Sequence, residues 1–390
     1  MVKSILDTDL YKFSTSNAYF QLYPLAEGTF TFNDRAKEVY DESFLADLRA
    51  SLADMCALAL TDDEFSYVTT HIRYISRNYW EWLRGFRFEL DKIDCRLDEE
   101  GHLKIDVTDL LYRVTLYEVP ILATVAELRN RRFKADTALA LSKLDDKIAM
   151  ANAEGLVFSE FGTRRRFSSE LHEAVVRRLK EACPKYCAGT SNVLYAMQFG
   201  LIPVGTFPHE WMMFHSGVFG YKRANYLGLE DWITVYDGAL GTALIDTFTT
   251  ASFLRTLTLK QAKLLDGFRQ DSGDEIEIGE MIIARLEEFG IDPRTKLLVF
   301  SNALDFPKYS KVAAHFRGRI KVSAGIGTNL TCDPGIPGYK AANIVMKLSR
   351  CRMSAKDPWE KVIKISDDLG KHMGEDVEFD IATHELHLRQ

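Results

Sequence analysis

The stretch Leu264-Leu265-Asp266-Gly267-Phe268-Arg269-Gln270-Asp271-Ser272-Gly273-Asp274 decides how the chain is read. Its apolar pair Leu264-Leu265 reads as the end of a buried strand. Ser272-Gly273-Asp274 then precedes Glu275 and an apolar-periodic run over 276–289, so Ser272 and Asp274 are N-cap candidates. Asp274, Glu275 and Glu277 put acid at the positive end of that helix. Arg269 and Asp271 therefore fall on a turn between the C-terminal end of a strand and a helix, the edge at which parallel α/β folds hold their active sites. A cation and a carboxylate two residues apart suit an anionic, metal-bound substrate. A capped surface turn fits these residues equally well when they are taken alone.

The same rhythm repeats outward from that turn. Leu156-Val157-Phe158, Tyr186-Cys187-Ala188, Ile202-Pro203-Val204, Leu244-Ile245, Leu297-Leu298-Val299-Phe300 and Ile320-Lys321-Val322 each lead into a polar turn. With Leu264-Leu265 they make a series of short apolar pieces separated by helical stretches, which predicts a parallel sheet and, by their number, a barrel. The later pieces are rich in Leu, Val and Ile without alternation, as strands buried on both faces are. Before residue 118 the pattern is mixed. A helix follows the acidic turn Asp7-Thr8-Asp9, Thr29-Phe30-Thr31-Phe32 alternates as a strand, and 42–90 reads as helices. A hairpin turns at Glu100-Gly101, and 121–152 reads as one long helix. The expected fold is α/β, an irregular TIM-like α/β barrel over 118–349 with a mixed α+β N-terminal domain over 1–117. The polar stretch 350–390 is expected to pack back on that first domain.

Composition narrows the function. The chain has 390 residues, 46% hydrophobic and 27% charged, with a net charge of −7, which argues against a general nucleic-acid binder. It lacks the run of about 18 apolar residues that a membrane span needs, and its N-terminus lacks a signal-peptide core. Six scattered cysteines suit a reducing cytoplasm, where the protein is expected to reside. Cys183 and Cys187 lack a second pair and do not suggest zinc.

Several turns carry chemistry. Gly325-Ile326-Gly327-Thr328 is a small phosphate-cradle candidate, although an ordinary turn reads the same way. Arg164-Arg165-Arg166 sets three cations in an acidic chain just before a helix start, where positive charge opposes the helix dipole; this favours anion binding over a solvated helix start. His209 lies on a strand-end turn beside Glu210, which is a candidate to orient its imidazole. His215 follows six residues later and does not complete HExxH, so a zinc protease is not indicated. The chain contains no GxxxxGK[ST] loop.

In order and wording these turns resemble the nicotinate phosphoribosyltransferase family of type II phosphoribosyltransferases. The resemblance runs from Asp7-Thr8-Asp9-Leu10-Tyr11-Lys12 to Val345-Met346-Lys347-Leu348. It is carried by Glu160-Phe161-Gly162-Thr163-Arg164-Arg165-Arg166, Gly189-Thr190-Ser191-Asn192, Gly205-Thr206 to His209-Glu210, Arg269 to Asp274, and Gly325 to Thr328. One departure is local: Phe207-Pro208 precede His209, where the family more often has a small residue. The resemblance implies that nicotinate, phosphoribosyl pyrophosphate and ATP are converted to nicotinate mononucleotide, pyrophosphate, ADP and phosphate, in NAD biosynthesis. It implies a transiently phosphorylated histidine, which falls on His209, and Mg²⁺ near Asp271, held through the substrate pyrophosphate. It places Arg269 and Asp271 on the ribose and pyridine, and Gly325, Gly327 and Thr328 on the 5′-phosphate. Phe161 would stack on the pyridine, and Arg164 and Ser191 would lie near the nicotinate carboxylate or the phosphates. It further implies a homodimer in which Tyr11 from the other subunit covers the opposite face of the pyridine. A barrel-fold binding protein without turnover, and an enzyme preferring nicotinamide, are the competing readings. Ser191 speaks against the second, since the nicotinamide enzymes carry an acid at that position.

Overall fold

A computed structural model describes residues 1–368 and 374–388. Two sheets organise it. The first is antiparallel and contains β1 (Glu27–Asp34), β2 (Ile93–Leu97) and β3 (Leu103–Leu110) from the N-terminal third. The second is parallel: β4 (Phe158–Glu160), β5 (Cys187–Thr190), β6 (Thr242–Leu244), β7 (Gly267–Gln270), β8 (Leu297–Phe300) and β9 (Lys321–Ile326). The chain then returns to the first sheet with β10 (Ile344–Arg352) and β11 (Glu360–Lys361). The strand orders are β11-β10-β1-β3-β2 and β5-β4-β9-β8-β7-β6.

The parallel sheet is the expected α/β core. A further parallel bridge, Thr190 to Pro203, extends it beyond β5. Among the described residues no pairing links that edge to β6. Proline explains why the 202–204 piece pairs by a single bridge: it has no N–H to give a ladder. Side-chain caps start the helices behind the strands. Asn192 accepts from Tyr195 N, Asp305 from Lys308 N, and Asp274 from Ile276 N and Glu277 N.

Three expectations change. Leu264-Leu265 is not a strand end. A Thr258–Gln261 capping box nucleates a helix over Leu259–Leu264, and the buried strand residue is Phe268. Arg269 therefore lies on the strand itself, with Asp271 one residue past its end. The single helix over 121–152 is two, Glu118–Asn130 and Thr137–Glu154, because Asp136 caps a new start by accepting from Leu139 N. The return to the first sheet begins with Ile344, paired antiparallel to Asp34 across β1, before the expected domain boundary at 350.

The N-terminus is bound to the parallel sheet, not only to its own domain. Leu10 N donates to Ser191 O at 2.7 Å, Val193 N to Thr8 O at 3.0 Å, and Leu194 N to Leu6 O at 2.9 Å. Beneath this contact the fully buried Arg166 grips Asp7 with two hydrogen bonds of 2.6 and 2.9 Å, and Asn192 Nδ2 adds a third at 2.8 Å. Against the upward push of burial, Arg166 holds the Asp7 carboxyl down at about 2. Replacing Arg166 by Met strands a buried carboxylate, so the variant should lose about 3–5 kcal/mol of unfolding free energy in urea. A loss below about 1 kcal/mol would show the pair to be dispensable.

Candidate active site

The C-terminal ends of the parallel strands and the N-terminal segment enclose a cavity of about 560 Å³. The ten residues proposed from the sequence as catalytic or binding residues line it: His209, Arg269, Asp271, Tyr11, Phe161, Arg164, Ser191, Gly325, Gly327 and Thr328. Residues 160 to 330 and the N-terminus thus converge because parallel strands deliver their following turns to one edge.

Tyr11 lines the cavity of its own chain. The reason is local. The hydrogen bonds between residues 6–10 and 191–194 fix the start of the helix Leu10–Leu22 against the turn after β5. Gly205 allows the 204–208 turn to pass close by: a Cβ there would stand 2.9 Å from Tyr11 N.

The glycine turn also has a second purpose. A Cβ on Gly325 would stand 2.4 Å from the ring of Phe161, so the ring lies directly on the Gly325 backbone. Gly325 sets the position of the aromatic wall. Gly327 and Thr328 face the cavity from the start of a single-turn helix, Thr328–Thr331.

The three consecutive arginines divide their tasks. Arg166 is the buried partner of Asp7 and is absent from the cavity. Arg164 and Arg165 face it. Arg164 is loosely held, 3.9 Å from Asp9 and 3.8 Å from Glu118, too far for hydrogen bonds. Ser191 Oγ donates to Asp9 Oδ1 at 2.6 Å, so its proton is already engaged. Asp9 and Lys347 are cavity residues to which the sequence reading assigned no role, while Arg165 lines the cavity as its place among the three candidate anion-binding arginines suggested. Lys347 stood within the quoted Val345-Met346-Lys347-Leu348; burial lowers its amine to about 8.

His209 is the first residue of the helix His209–Phe219. Pro208 precedes it in extended conformation at φ −89°, and the Phe207 ring packs 4.9 Å from Trp232, so the departure from the family pattern anchors the approach to the histidine. Nδ1 lies 3.0 Å from Thr247 Oγ1. Nε2 lies 3.2 Å from Asp271 Oδ2 and 2.9 Å from Lys364 Nζ. Burial, then the charge of Lys364, lowers the imidazole to about 4, so the ring is neutral at neutral pH. Against burial, the hydrogen bond with His209 and the charges of Arg269 and Lys364 hold Asp271 well below the usual carboxylate range.

Glu210 does not orient the imidazole. It points the other way, into a buried cluster where Lys12 pairs with both Glu118 and Glu210 and Thr115 donates to Glu210. Burial raises the Glu210 carboxyl, while Lys12 holds Glu118 low against the same push. Successive residues on the first helical turn face different directions, which separates His209 from its neighbour.

Two carboxylates lie beside His209. Asp246, Asp271 and His209 offer ligand atoms within 4.8 Å of one another, and the buried Asp246 Oδ1 has no hydrogen-bond partner among the described residues. Carboxylate oxygens beside a polar cavity fit Mg²⁺, which takes one or two carboxylates and completes its shell with water and phosphate oxygens. Arg269 Nε and Asn329 Oδ1 are also buried and unpartnered among the described residues, as groups awaiting a polar ligand would be. No helix among the described residues is long and apolar enough to cross a membrane.

Two outcomes are expected from this geometry. Gly325→Val should displace Phe161 and raise KM for the aromatic substrate by about tenfold or more, with a smaller effect on the phosphorylated one; the reverse pattern would make Gly325 a phosphate contact. The His209 resonances should titrate near 4 instead of about 6.5. Since the unfolded chain binds that proton first, the stability this group provides should be complete above about pH 6.5 and decline toward pH 4. His209→Asn should remove that part of the pH dependence.

The profile of the "Nicotinate phosphoribosyltransferase (NAPRTase) family" matches residues 156–388, and that of its N-terminal domain matches residues 6–126. A nicotinate phosphoribosyltransferase from Chromohalobacter salexigens is 38% identical over 392 aligned residues, covering 100% of this chain and 99% of the relative. The crystal structure of nicotinate phosphoribosyltransferase from Porphyromonas gingivalis superposes with a TM-score of 0.97 at 43% identity, covering 99% of this chain and 100% of the other. That of a putative nicotinate phosphoribosyltransferase from Saccharomyces cerevisiae superposes at 0.91 with 27% identity, covering 100% and 99%. With both profiles matched in order and the relatives covered end to end, the chain belongs to the nicotinate phosphoribosyltransferase family.

Proposed function

We propose that this protein joins nicotinate to phosphoribosyl pyrophosphate, giving nicotinate mononucleotide and pyrophosphate for NAD synthesis. The observation that carries the reading is the convergence in one cavity of two aromatic residues, Tyr11 and Phe161, with Arg164, Arg269, Asp271 and His209. The pyridine would sit between the aromatic residues, a placement their faces favour. Its carboxylate would be met by Arg164, whose guanidinium gives no hydrogen bond among the described residues; Ser191, already engaged with Asp9, leaves that task to the arginine. The pyridine nitrogen would attack C1 of the ribose as the bond to pyrophosphate breaks. Positioning and charge stabilisation supply most of the rate in such a displacement. Gly327 and Thr328 would hold the 5′-phosphate, with Arg165 and Lys347 as further cations in the cavity. Asp271 and Asp246 would hold Mg²⁺, which neutralises the leaving pyrophosphate when bound.

ATP coupling is part of the proposal and rests on His209. In a chain without a Walker A loop, a neutral imidazole with Nε2 toward the cavity is suited to accept a phosphoryl group and release it to water. Phosphorylation would couple ATP hydrolysis to synthesis if the phosphorylated protein binds phosphoribosyl pyrophosphate better. A homodimer with its sites at the subunit interface remains part of the reading.

Pyrophosphate release by the purified protein tests the function. Nicotinate should exceed nicotinamide in kcat/KM by at least about a hundredfold, since an amide leaves the Arg164 guanidinium without a carboxylate partner, and quinolinate should be inert. Equal use of nicotinate and nicotinamide would refute the base assignment. His209→Asn should abolish ATP hydrolysis and leave a slower, ATP-independent transferase.

A further inference from the structure

Lys364 comes from a segment that had no part in the sequence-derived site. Its neighbours stitch residues 365–368 across the ends of β6 and β7. Ile365 N and Ser366 N donate to Thr247 O at 2.9 and 3.4 Å. The Asp367 carboxylate accepts from Thr250 N and Oγ1 at 2.8 and 2.6 Å, Asp367 N donates to Ser272 Oγ at 3.0 Å, and Gly273 N donates to Asp368 Oδ1 at 3.1 Å. This fastening fixes where the lysine stands. Its ammonium lies 2.9 Å from His209 Nε2 and 3.6 Å from Asp246 Oδ2, with its side chain only 14% exposed.

Donor arithmetic at Nε2 gives this placement its meaning. The nitrogen has one in-plane position, used either by a proton or by a lone pair. With a proton, Nε2 donates to Asp271 Oδ2, and Nδ1 accepts from Thr247. With a lone pair, Nε2 accepts from Lys364, and Nδ1–H donates to Thr247 Oγ1. Asp271 and Lys364 thus favour opposite tautomers. Only the second leaves Nε2 able to attack phosphorus, and Nε2 is the ring nitrogen on the side of Asp271, while Nδ1 is turned to the buried Thr247.

The geometry points to Lys364 as the residue that selects the Nδ1–H tautomer of His209 and then compensates the charge of the phosphoryl group the imidazole accepts. This rests on the phosphohistidine reading above. In the step, the Nε2 lone pair forms the N–P bond while the bridging P–O bond of ATP breaks and its electron pair leaves with ADP. The Nδ1 proton stays on the ring, held by Thr247. The ammonium, displaced from the lone pair, turns to the phosphoryl oxygens. Water then attacks phosphorus, the N–P pair returns to Nε2, phosphate leaves carrying the oxygen and both hydrogens of the water, and Lys364 resumes its contact. Asp246 holds the lysine between these positions.

Two measurements on the full chain test this. Long-range ¹⁵N–¹H spectra of protein carrying ¹⁵N-histidine report the tautomer without any ligand, and γ-labelled ATP reports acid-labile, base-stable label on His209. Wild type should show Nδ1–H. Lys364→Met, which keeps the apolar stem, should shift His209 to Nε2–H and slow labelling by at least about tenfold, the size of one lost charge-assisted contact. KM for nicotinate should stay within about twofold, and Lys364→Arg should recover part of the labelling rate. An Nε2–H tautomer in wild type overturns the proposal without any variant. So does a Met variant that keeps Nδ1–H and takes up label at the wild-type rate. If wild type binds ATP but takes up no label, the phosphohistidine reading fails, and the proposal with it; label on wild type with an unaffected Met variant removes only the assignment to Lys364.

Discussion

The buried grip of Arg166 on Asp7 is the contact on which the site depends. It joins the first ten residues to the turn after β4, and Asn192 extends the same knot to the turn after β5. A buried ion pair of this kind contributes little net stability over apolar packing, but it penalises other arrangements, because either partner left alone in the interior is costly. Here the arrangement it favours delivers Asp9 and Tyr11 to the cavity of the same chain. Part of the cavity lining is therefore set by an ion pair that itself lies outside the cavity.

A second constraint is the partition of charge around the helix His209–Phe219. On one side Lys12 serves two buried carboxylates, Glu118 and Glu210, and burial leaves Glu210 with a raised affinity for its proton. On the other side His209 is kept neutral between Asp271 and Lys364. Adjacent residues in the chain thus belong to separate networks, one that fixes the helix in the interior and one that opens on the cavity. Between them lies Arg164, within 4 Å of Glu118 and Asp9 but bound to neither, available to an incoming anion.

Much of the site was legible from local chemistry. The turns were found because strand, polar turn and capped helix each leave a mark over a few residues, and parallel strands send those turns to one edge whatever their exact boundaries. Arg269, Asp271, His209 and Phe161 could thus be placed even though Leu264-Leu265 proved to be the end of a helix. Asp9, Lys347 and Lys364 escaped notice. Lys347 lies on an alternating strand of the other sheet, and Lys364 on a polar stretch that by composition resembles any surface segment. Nothing within a few residues of either announces a cavity.

By itself, the sequence determined the α/β class, the series of strand-end turns and the chemical types available there, because these depend on periodicity, capping and residue identity over short range. It could not say that Arg166, alone of three arginines, faces inward, that Glu210 turns away from the histidine beside it, or that Gly325 serves the ring of Phe161. Those outcomes are decided by which buried charge finds which partner and which backbone passes under which ring. Such pairings join residues far apart in the chain, and their energies exist only after the sheets have brought the partners within a few ångströms.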